Sequence, residues 1–187
     1  MSQFVLPETW RSSGTLRHAV RLLGLYLVRR DGEFEAGGMI TEVEAYDSER
    51  DLACHARFGR TNRSAPLYAP GGIWYVYLCY GVHEMLNLVV GPENHPAALL
   101  IRSVVGIAGP GRLTRALKVG RNLNCCVAGP DCGLHLEDRG VRVPRRLIQR
   151  TPRIGVDYAG PVWANKPWRF TFDPRKLPVT PAALARP

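Results

Sequence analysis

No stretch of this sequence approaches the roughly 20 uninterrupted apolar residues that a membrane-crossing helix needs, so no membrane span is expected. Residues 1–10, "MSQFVLPETW", lack a charged segment followed by an apolar core, which argues against a secretory signal and for a cytoplasmic protein, nucleoid-associated if the source is bacterial. Cysteine occurs five times, at 54, 79, 125, 126 and 132, never as a CxxC pair. That spacing disfavours a zinc site, and an odd count without a signal favours reduced thiols over a disulfide framework. No metal and no cofactor is expected. Lysine is nearly missing: Lys118, Lys166 and Lys176 are the only ones among 25 basic residues. Acids are also in short supply, 16 in all, and the formal charge is +9.

What is present is arginine, whose planar fork suits phosphates, although a GC-rich genome would raise its share too. The positive balance fits a polyanionic partner such as nucleic acid; a merely basic soluble protein is the plainer alternative. The 187 residues, 45% of them hydrophobic, fit one domain with a sizeable core.

The pattern along the chain reads as α+β. "SGTLRHAVRLLG" (13–24) predicts a helix capped by Ser13, with Leu16, Val20 and Leu23 on one face. "LYLVRR" and "GMITEVEAY" read as strands joined by a loop, "DGEFEAGG". "IWYVYLCY" and "EMLNLVV" form a second antiparallel pair with Tyr80-Gly81 at or near its tip. "AALLIRSV" is a buried strand, and "GPGRLTRALKV" a helix with Leu113, Ala116 and Leu117 inward and Arg112, Arg115 and Lys118 along one flank. The expected architecture is one domain, 1–187, around a curved, mostly antiparallel sheet flanked by helices, with a protruding β-hairpin and a poorly packed, Pro-rich tail over 173–187.

Chemistry concentrates in "ITEVEAYDSERDLACHARFGRTNRS" (40–64). Glu44 lies inside an apolar strand, where a carboxylate is costly unless satisfied or functional. It reads equally well as a general base and as an edge acid paired with arginine, and Glu42 shares its face. Tyr46, His55, Tyr75, Tyr77 and Tyr80 supply aromatic surface beside arginines, the combination that stacks nucleobases at ~1–3 kcal/mol each; packing in a core is the plainer account of Tyr75 and Tyr77. An aromatic at a turn tip gains little from burial, so Tyr80 is a candidate wedge between base pairs. Asn87 is either a satisfied amide or a discriminating pocket wall. Arg102 ends an apolar run and needs an anion, for which Glu44 is a candidate.

Taken together, "TEVEAY…H…GR", "GGIWYVYLCYGVHEMLNLV" and "ALLIRSV", followed by "AGPGRLTRAL", "TPRIGVDYAG" and "ANKPWRF", resemble the alkyladenine (3-methyladenine) DNA glycosylase family over about residues 14–172. The resemblance implies a fold like a formyltransferase C-terminal domain. It implies a monomeric, monofunctional base-excision enzyme acting on double-stranded DNA with alkylated or deaminated purines. Carried over by position, Glu44 activates the water and Arg102 helps hold it. Tyr46 and His55 contact the flipped base, with Tyr77 closing the opposite side. Asn87 discriminates against a guanine amino group, Tyr80 fills the hole in the duplex, and Arg60 contacts the DNA backbone. Tyr68, Cys54, His83 and Glu84 depart from the family's commoner residues and bear on substrate breadth. A non-catalytic nucleic-acid-binding module and a small-molecule hydrolase using Glu44 and His55 are the competing readings. Glu44 beside Tyr46 and His55 speaks against the first, the arginine load and Tyr80 against the second.

Overall fold

The computed structural model describes residues 2–178. Ten strands join one sheet: β1 (Gln3–Phe4), β2 (Tyr26–Asp31), β3 (Phe34–Asp47), β4 (Trp74–Cys79), β5 (His83–Val89), β6 (Ala97–Val104), β7 (Ile107–Ala108), β8 (Leu134–Asp138), β9 (Gln149–Thr151) and β10 (Arg169–Thr171). Helices α1 (Thr15–Leu22), α2 (Pro110–Ala116) and α3 (Gly160–Ala164) complete an α+β architecture. The sheet order is β1-β8-β2-β3-β6-β5-β4, with β10 also on β3, β9 on β10 and β7 on β6. Every paired neighbour is antiparallel.

The first helix is entered through Gly14 at φ 108, and the expected Ser13 cap is not made. The left-handed conformation at that step suits glycine and not serine. The loop expected at "DGEFEAGG" shrinks to a turn at Gly32 and Glu33, with β3 starting at Phe34. Gly37 does not break the strand; it lets two strands touch, since a Cβ there would lie 2.3 Å from the Leu27 carbonyl oxygen. On α2, Leu113 and Leu117 are buried as expected, but Thr114 is buried and Ala116 exposed. Lys118 falls beyond the helix end and packs over the Phe34 ring at 4.1 Å.

Strand β3 changes partners midway. Residues 34–39 pair with β2; from Ile40 onward β3 runs between β6 and, over 42–44, β10. The register slips on both sides of Glu42: Thr41 has no opposite residue on β6, and Arg102 has none on β3. Val43, Ala45, Leu99 and Ile101 face the main core with Trp74, Leu86 and Phe170. Glu42, Glu44 and Tyr46 face the other side, where a second, smaller cluster (Cys54, Ala56, Leu67, Tyr68, Tyr75, Val89, Ala98) anchors the 50s and 60s segments. The tail is packed at its start, because Leu177 is buried with the main core; the rest of the expected tail, 179–187, lies outside the described residues. Among the described residues no helix is long and apolar enough to cross a membrane.

Candidate active site

The second face of β3 forms the back of a cleft of ≈ 630 Å³. Tyr46, His55, Tyr77, Tyr80, Asn87 and Arg102 all line it. Glu44 does not; it lies fully buried behind Tyr46, Arg102 and Ile154, three lining residues that bind its carboxylate. The Tyr46 hydroxyl donates to Oε2 at 2.8 Å, the Ile154 amide donates to Oε1 at 2.8 Å, and Arg102 Nη1 stands 3.3 Å from Oε1. Burial pushes the Glu44 carboxyl above its ordinary range, and the Arg102 charge and the two donors pull it back only in part. Arg102 reaches both acids because the register slip releases it from the regular ladder: its Nε donates to Glu42 at 3.1 Å.

Glu42, on the same face, has a different set of partners. It accepts from Arg102, from Ser103 Oγ at 2.8 Å and from Arg169 Nη1 at 2.9 Å. Burial pushes its carboxyl up, but the Arg169 and Ser103 hydrogen bonds and the two arginine charges outweigh that and hold it below the ordinary value.

The aromatic residues form a wall. His55 and Tyr77 meet edge to face with ring centroids 4.5 Å apart, and Tyr75 lies 5.4 Å from Tyr77. The expected arrangement, with His55 and Tyr77 on opposite sides of a base, is not what the rings adopt: they are too close to admit a ring between them and share one wall. His55 Nδ1 hydrogen-bonds the Tyr75 hydroxyl at 2.9 Å. Burial, helped by Arg63 and Arg57, lowers the His55 pKa to about 4, so the imidazole is neutral at pH 7. Asn87 spends its amide NH₂ on the carbonyls of Tyr75 and Met85, at 3.1 and 3.2 Å. Since carbonyls only accept, the amide orientation is fixed.

At the rim, Tyr80 is 90% exposed and sits at φ 50 in the turn between β4 and β5, followed by Gly81 at φ 69. Both positive angles belong to a primed turn, and a tyrosine in the first of them is strained. Arg60 is exposed and stacks over Tyr68 at 5.3 Å, away from the cleft lining.

Several residues escaped the sequence reading. Phe58, 74% exposed, and Tyr158 flank the Arg57 guanidinium at 4.4 and 4.8 Å on the cleft rim. Ile154 serves through its backbone N–H, which no side-chain pattern announces. Asp51 and Arg153 form a buried ion pair behind Tyr46. Among the described residues no cluster of His, Cys, Asp or Glu could hold a metal ion.

The methylpurine-DNA glycosylase family model matches residues 9–108 and 105–176. A protein of Anaeromyxobacter sp. (strain Fw109-5), provisionally named a 3-methyladenine DNA glycosylase, is 43% identical over 181 residues, covering 90% of this chain and 89% of its own. A similarly named protein of Myxococcus xanthus is 42% identical, covering 88% of each chain. The DNA-3-methyladenine glycosylase of Arabidopsis thaliana is 39% identical, covering 89% of this chain and 70% of its own. With a buried carboxylate, a guanidinium and an aromatic wall around one cleft, and with this similarity along nearly its whole length, the chain belongs to the methylpurine-DNA glycosylase family.

Proposed function

We propose that the chain is a monofunctional DNA-3-methyladenine glycosylase of base excision repair, one domain over residues 1–187 that works as a monomer. It rotates an alkylated purine out of duplex DNA and hydrolyses the N-glycosidic bond. The observation that carries this reading is Glu44: a fully buried carboxylate is costly, and this one is kept at the cleft with Arg102, Tyr46 and Ile154 on it.

In this reading a water enters between Arg102 and Tyr46. Glu44 takes its proton as the oxygen bonds to C1′ of the sugar, and the C1′–N bond breaks with its electrons passing to the base. A pKa raised by burial makes the carboxylate a stronger proton acceptor. Its negative charge also stabilises the oxocarbenium character of the sugar. A methylated purine is cationic and leaves neutral, so it needs no acid. The base lies against the wall of His55 and Tyr77 with Tyr46 on its other side, where aromatic faces attract a cation by ~0.5–2 kcal/mol. Neutral His55 offers a hydrogen bond through Nε2, not a proton, so ethenoadenine and hypoxanthine depend on that hydrogen bond. Asn87, its NH₂ committed to two backbone carbonyls and so fixed in place, meets a guanine amino group with bulk. Tyr80, at the tip of a protruding β4–β5 hairpin, fills the vacated space in the duplex. Arg60, with Arg57 and Arg63, contacts phosphates.

Single-turnover excision from duplexes carrying 3-methyladenine (or a stable analogue), 1,N6-ethenoadenine and hypoxanthine tests the reading. Wild type is expected to release free base, and Glu44→Gln to bind duplex and release it ~10²–10⁴-fold more slowly or not at all. Binding by wild type without release on any substrate would favour a non-catalytic module, and equal release by both proteins would remove Glu44 from the chemistry.

A further inference from the structure

Behind Tyr46 lies an ion pair the chemistry above does not use. Arg153 and Asp51, 102 residues apart in sequence, are both side-chain-buried to 0% exposure and joined by two contacts, one of them Nη2 to Oδ1 at 2.8 Å. A buried pair is weak evidence for stability, because desolvation offsets its attraction and apolar replacements often do as well. This one also leaves Arg153 Nε buried with no hydrogen-bond partner among the described residues. Its connections point to another use. Arg153 Nη1 donates to the Ala45 carbonyl at 2.9 Å, between Glu44 and Tyr46, and the guanidinium lies 4.7 Å from the Tyr46 ring centroid. Asp51 accepts from the Ala53 amide at 3.0 Å and so ties down the turn leading to His55. The next residue after Arg153 is Ile154, whose N–H binds Glu44. Three separate pieces of chain thus deliver one group each to the cleft, and this pair joins all three.

We propose that the Asp51–Arg153 pair is the positioning device for Glu44, fixing the Ile154 N–H and the Tyr46 hydroxyl on its carboxylate, so that breaking the pair slows hydrolysis and leaves DNA binding intact. The inference rests on the reading of Glu44 as the group that activates water. The effect is geometric: small misplacements near a reacting centre cost roughly 10–100-fold in rate. It is also electrostatic. Glu44 is faced by Glu42 and Tyr46 on β3, Arg102 on β6, Arg169 opposite it on β10, and Arg153 from the segment after β9. Losing the Ile154 donor removes a group that favours the ionised carboxylate, so the pH at which activity appears should rise.

The test compares wild type with Arg153→Lys, Asp51→Asn and the apolar double variant Asp51→Leu/Arg153→Met. The double variant avoids leaving one charge buried alone and keeps the comparison open if a single variant does not fold. Single-turnover excision per folded molecule should fall roughly 10–100-fold, with the acid limb of the rate profile displaced to higher pH and duplex affinity within about twofold of wild type. Hydrogen exchange at the Ile154 amide should accelerate. A pair that serves as glue alone lowers the unfolding midpoint and leaves rate, limb and Ile154 exchange unchanged, and that result overturns the proposal. If wild type itself releases no base, the reading of Glu44 falls, and the pair is then judged by Ile154 exchange alone: unchanged exchange overturns it.

Discussion

The surroundings of Glu42 and of Glu44 differ more than two residues on one strand face lead one to expect. Both acids touch Arg102, and both are withdrawn from water. Glu42 has a second guanidinium, Arg169, and the Ser103 hydroxyl, and it keeps 18% of its side chain exposed. Glu44 has one shared guanidinium, two neutral donors and no exposure at all. Burial pushes both carboxyls upward; the Arg169 and Ser103 hydrogen bonds with two arginine charges overcome it at the partly exposed Glu42, and Arg102 with two neutral donors does not at the fully buried Glu44. The lesson is that depth of burial and the groups bonded to each carboxylate, not the position along the strand, hold one acid below its ordinary value and the other above it. The strand slip at Arg102 gives the two acids their shared partner, and the asymmetry comes from Arg169 and Ser103 on Glu42 and the complete burial of Glu44.

The sharpest way to break this comparison is to neutralise each acid in turn. Glu44→Gln should lower single-turnover excision by ~10²–10⁴ or more, the usual share of a general base, while Glu42→Gln should keep most of the rate. Equal losses in the two variants would erase the distinction. In urea unfolding the order should reverse. Glu42→Gln leaves Arg102 and Arg169 short of an anion and should cost about 2–3 kcal/mol, less than a fully buried pair because Glu42 is partly solvated. Next, Arg102→Lys replaces a fork that serves both acids with a single ammonium; excision should fall ~10-fold, with a smaller loss of stability.

The smallest effects are in pH dependence. Glu42, held below its ordinary value, contributes stability that is present above its unfolded pKa and is lost as pH falls through the folded one. Glu44, held above its ordinary 4.5, acts oppositely: the fold loses stability as pH rises through the raised value. Thermal melts near neutral pH should therefore show Glu44→Gln equal to or above wild type and Glu42→Gln below it. The acid limb of excision should lie above 4.5 and follow Glu44. His55, already neutral above about 4, should add no second limb between pH 5 and 8, which a His55→Gln profile of unchanged shape would verify.

Much of the fold is legible in residue order. Aromatic and β-branched composition placed β4, the turn after it placed β5 and an apolar run placed β6, while parity put Glu42 and Glu44 on one face, because a strand must sort its side chains between two sides. The same logic misled at "DGEFEAGG", where glycine relieved a close approach between strands instead of marking a loop. The aromatic composition pointed to aromatic surface beside arginine, but not that His55 and Tyr77 share a wall, a matter of one loop segment meeting one strand.

The sequence by itself determined the class of fold, the basic surface, the acid–aromatic–arginine grouping and the family, since these follow from residue type and short-range periodicity. Only the tertiary structure decided which acid is which. It set the slip that frees Arg102, the Asp51–Arg153 pair linking distant segments, and a backbone N–H from Ile154 that carries no mark in its side chain. Ionisation inside a protein depends on distances between groups remote in sequence, and those distances exist only once the sheet and its loops have closed on one another.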